Sequence, residues 1–199
     1  MDYLIESRPM QKWDVRFCDL ARYISAWSKD PNAKVGAVLF SKKGGNVSIG
    51  YNGFPIGVED SAERLTDKDV KLELVVHAEV NAIIAAGVRA EGSTIYVWGK
   101  PICARCAGPI IQAGIKRVVA LAPGESESHW DKSGKTARDM FIEAGITVDF
   151  YTANESPLKN PLQAPSVIGD SGTALKDGHP IARIQARKNA IQRSSQRRL

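Results

Sequence analysis

His77, Glu79, Cys103 and Cys106 constrain this chain more than any other residues, because three of them are soft metal ligands whose side chains must meet at one ion. Cys103-Ala104-Arg105-Cys106 sets its thiols three residues apart, so at the opening of a helix they share one face. There the unsatisfied N–H groups and the positive end of the helix dipole favour thiolate, the form that binds metal. A Cys-x-x-Cys pair by itself also suits a redox couple or half of a four-ligand structural zinc site. The nearby His77-Ala78-Glu79 triplet favours a catalytic ion. A structural site would need a fourth ligand, and Cys18, His129 and His179 have no ligand-like spacing to the cluster.

Three protein ligands leave the fourth tetrahedral position of zinc open to water, whose pKa such a site lowers to about 7. Glu79, two residues beyond His77, points to a different side of a helix from the ligand and can face that water. It is expected to shuttle protons: to take one from water, deliver it to a ring nitrogen and protonate departing ammonia. The whole pattern follows H-x-E…P-C-x-x-C, the signature of zinc-dependent deaminases, with one departure, since Ile102 separates Pro101 from Cys103. One Zn2+ per chain is expected.

Hydrophobic residues make up 43% of the 199, enough for one well-buried domain and an appendage. No apolar run approaches the roughly 18 residues of a membrane span, and residues 1–13 lack the apolar stretch of a signal peptide, so a cytoplasmic protein with no membrane partner is expected. Cys18 is the only cysteine outside the cluster, which leaves no disulfide framework and implies a reducing compartment.

Trp13, Phe17, Leu20, Ala21, Ile24 and Trp27 recur at helical spacing and predict a first helix whose aromatic stripe faces the core, stopping at Asp30-Pro31. Strands are predicted at 35–40 and 46–51 around a Lys42-Lys43-Gly44-Gly45 turn, followed by a long loop from Asn52-Gly53 and a polar stretch, 59–71, with at most a short helical turn. A helix over 72–86 carries His77 and Glu79 and ends at Gly87 as a left-handed cap. Strand 94–97 leads into a cysteine helix over 103–113, which Gly108-Pro109 should bend. A strand at 117–121, a helix over 131–144 and a strand at 146–151 complete the pattern. Strands alternating with helices after an initial hairpin predict an α/β fold, a three-layer α/β/α sandwich with a five-stranded mixed sheet.

The runs Trp27-Ser28-Lys29-Asp30-Pro31, Val35-Gly36-Ala37-Val38, Gly50-Tyr51-Asn52-Gly53-Phe54-Pro55, Val76-His77-Ala78-Glu79-Val80-Asn81-Ala82-Ile83 and Ile110-Ile111-Gln112-Ala113-Gly114-Ile115-Lys116 resemble deoxycytidylate deaminases, over roughly residues 13–151. The resemblance implies the cytidine-deaminase fold, hydrolysis of dCMP to dUMP and ammonia for thymidylate precursor supply, a homo-oligomer, and dCTP and dTTP as effectors. It implies metal ligation by His77, Cys103 and Cys106, acid/base work by Glu79, a sugar-hydroxyl contact from Asn52, and a place near the 5'-phosphate for Ser28 and Lys29. The Ala78 N–H, unsatisfied at a helix start, is a candidate anchor for the base. The linker before Cys103 is one residue longer than the family pattern, which bears on substrate choice. The segment 54–72 has neither cysteine nor histidine, so a second, structural zinc is not expected.

Two regions are expected: a deaminase domain over 1–152, and over 153–199 a Pro/Ser-rich linker with a basic tail. From Lys176 onward the charge is +6 against +5 for the whole chain, so the deaminase domain is close to neutral. Such a tail suits solvation or docking on a neighbouring subunit; nucleic-acid contact is the alternative, and with it deamination of a base in RNA, of the tRNA adenosine type, while another free nucleotide or nucleoside is the other alternative substrate. A zinc-stabilised binding module without catalysis is a third reading, against which the intact Glu79 speaks.

Overall fold

The amphipathic segment after Met10 forms helix α1, Lys12–Ser25, in a computed structural model that describes residues 10–151. Asp14 accepts the Gln11 N–H at 3.1 Å and closes a capping box at its start. Phe17, Cys18, Ala21 and Ile24 are buried, but the aromatic stripe is shorter than the spacing predicts: Trp13 and Trp27 are 60% and 48% exposed. Trp13 lies in the first turn, where it stacks on Phe17 and carries the Arg16 guanidinium. Trp27 follows the last turn and meets Tyr23 and Tyr51 edge-on.

The predicted hairpin forms from β1, Gly36–Ser41, and β2, Asn46–Tyr51, with Ser41 opposite Asn46. Gly44 and Gly45, at φ +86° and +65°, make the turn in a conformation that disfavours other residues. The polar stretch holds more helix than expected, α2 at Ala62–Thr66 and α3 at Lys68–Leu74, because Ser61 and Asp67 each cap a helix start with a side-chain oxygen. The helix predicted over 72–86 is divided. Val75 and His77 are extended, Val76 exchanges two backbone hydrogen bonds with Gly53 (3.1 and 2.9 Å), and α4 spans only Ala78–Ala86. Gly87 ends it at φ +55° and opens a 3-10 turn. Then come β3 (Thr94–Trp98), α5 (Ala104–Gln112), β4 (Arg117–Leu121), α6 (His129–Glu143) and β5 (Thr147–Tyr151). Helix α5 runs unbroken through Pro109.

The sheet order is β2-β1-β3-β4-β5, with β1 antiparallel to both neighbours and β3, β4 and β5 parallel, the mixed five-stranded sheet expected. Alternation along the strands divides the core. Val38, Tyr96 and Val119 pack with α1 on one face; Ala37, Leu39, Ile95, Val97, Val118 and Ala120 pack with α4, α5 and α6 on the other. The three layers are therefore helix, sheet, helix. Two glycines set the spacing between them. A Cβ at Gly36 would overlap the Ala21 carbonyl of α1, and one at Gly50 would overlap the Ala78 carbonyl and the Ala82 amide of α4.

On the α1 side the Arg117 guanidinium grips Asp14 with two bonds, 2.7 and 2.9 Å, and reaches Asp149 with a third at 2.6 Å. The Tyr96 hydroxyl also donates to Asp14 at 3.0 Å. Burial raises the Asp14 carboxyl, but Arg117, the Gln11 N–H and Tyr96 together outweigh it and hold the group below its ordinary value. Among the described residues, no helix is long and apolar enough to cross a membrane. The tail expected over 153–199 lies outside the described residues.

Candidate active site

His77 and Cys103 are not within helices but immediately before them, at the N-cap positions of α4 and α5, both with extended backbone. Helix α4 can approach the sheet closely because Ala78, Ala82 and Ala86 line its buried face above Gly50. Cys106 stands in the first turn of α5, where its N–H and that of Ala107 both donate to the Cys103 carbonyl, at 3.0 and 3.1 Å. Two helix N-termini thus converge, and their dipoles favour negative charge at the thiols and at Glu79.

The Nδ1 atom of His77 lies 3.2 Å from Cys106 Sγ and 3.5 Å from Cys103 Sγ, and one ligand atom from each residue lies within 4.8 Å of the others. A tetrahedral site with zinc–sulfur bonds of about 2.3 Å and zinc–nitrogen bonds of about 2.0 Å has nitrogen–sulfur edges of about 3.5 Å. The donor set therefore fits zinc in both chemistry and size, with Nδ1 as the nitrogen it would use. The hydrogen bond between the two thiols pushes Cys103 down and, with burial, pushes Cys106 up. Both thiols must be deprotonated to act as ligands. The hydrogen bond to Cys103 raises His77.

Glu79 is 3% exposed, and burial pushes its carboxyl above the ordinary range. It lines, with His77 and Ala78, a cavity of about 370 Å³ whose other walls include Val35, Asn52, Leu72 and Trp130. The Trp130 ring is tilted beside His77, with centroids 6.3 Å apart.

The other sequence candidates are placed differently. Asn52 is buried and lines the cavity, but its amide spans the chain: Oδ1 accepts the Val35 N–H at 2.8 Å and Nδ2 donates to the Ala33 carbonyl at 2.8 Å. One hydrogen and one lone pair of that amide are left over. Ser28 is 1% exposed, with its hydroxyl accepting the Asp30 N–H at 3.2 Å. Lys29 pairs with Asp60 at 2.7 Å and lines a neighbouring hollow with Trp27 and Tyr51. Ile102, the extra residue before Cys103, is buried in the core, which leaves Lys100 and Pro101 on the cavity wall.

Sequence reasoning missed Lys68, Lys71, Lys100 and Trp130, all of which line the cavity. Lys71 is bound to Asp30 at 3.1 Å, with side chains 12% and 8% exposed. Lys68 and Lys100 make no ion pair with a described residue. The one available signal was the longer linker, which delivers Lys100.

Such a site, three zinc donors and a buried carboxylate at the starts of two helices packed on one face of a mixed sheet, defines a zinc-dependent hydrolytic deaminase. Residues 11–122 match the model of the cytidine and deoxycytidylate deaminase zinc-binding region, and the chain belongs to that family. It is 41% identical over 142 residues to a deaminase of Aliivibrio fischeri, covering 70% of this chain and 93% of that protein. Human deoxycytidylate deaminase is 34% identical over 164 residues, covering 73% and 90%. The fold is also that of the cyanophage S-TIM5 dCMP deaminase solved with dCMP and dUMP, with a TM-score of 0.55 at 22% identity over 72% of this chain and all of that one.

Proposed function

We propose that the chain hydrolyses dCMP to dUMP and ammonia, supplying precursor for thymidylate. The observation that carries the reading is the convergence of the His77, Cys103 and Cys106 donor atoms beside a cavity that His77 and Glu79 line. The substrate is supported by relatives named deoxycytidylate deaminase.

In this reading His77 Nδ1 and the two thiolates hold one zinc per chain, which when bound supplies hydroxide near neutral pH. Glu79 accepts the proton that water gives up and delivers it to N3 of the cytosine ring. As N3 takes that proton the water oxygen adds to C4; the bond from C4 to the exocyclic nitrogen then breaks as the added hydroxyl becomes the C4 carbonyl, and Glu79 carries the hydroxyl proton to the leaving ammonia. A carboxyl raised by burial is suited to both taking and returning a proton. The Ala78 N–H anchors the base, and the free hydrogen and lone pair of Asn52 meet the sugar hydroxyl. Ser28 and Lys29 stand in the segment taken to lie on the phosphate side, Ser28 buried and Lys29 paired with Asp60, so neither is assigned a direct contact.

The same reading takes residues 1–152 as the deaminase domain and 153–199 as a linker and basic tail of a cytoplasmic homo-oligomer that responds to dCTP and dTTP. Ammonia release from dCMP, CMP, deoxycytidine, dAMP, dGMP and a tRNA tests it: dCMP should be used best, and turnover of the tRNA alone would replace it.

A further inference from the structure

We propose that Lys100 and Lys68 grip the 5'-phosphate of the substrate and thereby make the enzyme prefer a nucleotide to the corresponding nucleoside. The inference rests on the reading that the substrate is a nucleoside monophosphate.

A phosphate monoester brings a charge of about −1.5 to −2 into the cavity and needs cations to match it. Two nearby cations are already engaged. Asp30 neutralises Lys71 in a nearly buried pair, and Lys29 is paired with Asp60 at an adjoining hollow that shares Asp30, Asn52 and Lys71 with the cavity. Ser28 is buried, carries no charge and lines neither hollow. Lys100 and Lys68 line the same cavity as His77 and Glu79, and no described carboxylate pairs with either. Two lysines match the charge of one phosphate dianion.

Lys100 is also held in place. Gly99 before it adopts φ +111° and presses so closely on the Lys34 carbonyl that a Cβ would overlap that oxygen. Pro101 after it is buried against Gly134 of α6, where a Cβ would come to 3.2 Å of the proline ring. The longer linker is therefore anchored on both sides of Lys100, and its backbone is fixed at the cavity wall before any ligand arrives. Lys68, exposed on α3, supplies the second charge from a separate element.

Steady-state kinetics of the zinc-loaded full chain on dCMP and on deoxycytidine test the assignment. Lys100→Gln should raise KM for dCMP about ten- to a hundredfold, the cost of one charge-assisted contact, with kcat little changed. Lys68→Gln should act in the same direction, and Lys100→Arg should restore most of the loss. Turnover of deoxycytidine should be the same in every variant. KM for dCMP should rise with salt in the wild type and much less in the double variant. Equal losses on both substrates, or no change on either, would overturn the grip, and zinc content and Tm of each variant identify a folding defect as the equal-loss case. A wild-type preference for dCMP that survives in the double variant overturns the grip alone. A wild type that does not distinguish dCMP from deoxycytidine overturns the nucleotide reading together with it; preference for another nucleotide moves the same comparison to that nucleotide and its nucleoside.

Discussion

The Ala104 N–H donates to the Ser133 hydroxyl at 3.0 Å, so a residue of α6 caps the helix that carries Cys106. Helix α6 is brought close enough by Gly134, which faces Pro101 and Pro123 without a side chain. Ser133→Ala should therefore loosen the first turn of α5 rather than remove a ligand. The expected cost is about 1 kcal/mol of stability, with zinc affinity about tenfold weaker by chelator competition.

Gly50 is the point at which β2 supports the start of α4. A side chain there would overlap backbone atoms of Ala78 and Ala82, which cannot yield as a flexible side chain would. Gly50→Val should displace α4, and with it His77 and Glu79. We expect a destabilisation of about 3 kcal/mol or more and a fall in bound zinc, read by thermal melting and metal analysis.

Glu79→Gln keeps the shape and the ligands but removes the group that accepts a proton. Zinc content should remain that of the wild type, while kcat on dCMP falls by about 100- to 10,000-fold. Retained turnover in a zinc-loaded variant would move proton transfer to another residue.

The Asp14–Arg117 pair gives stability a defined pH dependence. The folded carboxyl lies below its ordinary value of 3.8, so its contribution is fully present above that value and lost as pH falls through the folded pKa. Asp14→Asn should cost about 2 kcal/mol at pH 7 and flatten this acid limb, measured by urea unfolding between pH 7 and pH 3. An acid limb identical in the variant would assign the loss to other carboxylates.

Thiol labelling separates the three cysteines. Burial, with Asp14 and Asp19 nearby, pushes the Cys18 thiol up to about 12, whereas Cys103 and Cys106 meet at His77, a residue that lines the cavity. After chelation of the metal in native protein, two thiols should react and Cys18 should stay protected until the chain unfolds. Labelling of Cys18 before the other two would contradict this.

Local sequence carried much of the architecture. The alternation of β1, the glycines of its turn and the spacing of Phe17, Ala21 and Ile24 all depend on neighbours within a few residues, and the corresponding elements formed, although α1 ends at Ser25 rather than at Asp30-Pro31. The division at Val75–His77 was not legible, because residues 72–86 are apolar enough to continue a helix. It is a distant partner, Gly53, that holds Val76 extended. For the same reason helical spacing placed Trp13 and Trp27 in the core: periodicity gives the side of a helix, not how far along it the sheet extends.

What the sequence determined by itself was the chemistry: a histidine, a glutamate and two cysteines at deaminase spacing admit few other uses, because metal ligation needs those donor atoms and proton transfer needs that carboxylate. Tertiary structure alone decided which cations stand free at the cavity. Whether a lysine is neutralised depends on carboxylates far along the chain, as with Lys71 and Asp30, 41 residues apart, and electrostatic pairing follows distance in space rather than distance in sequence.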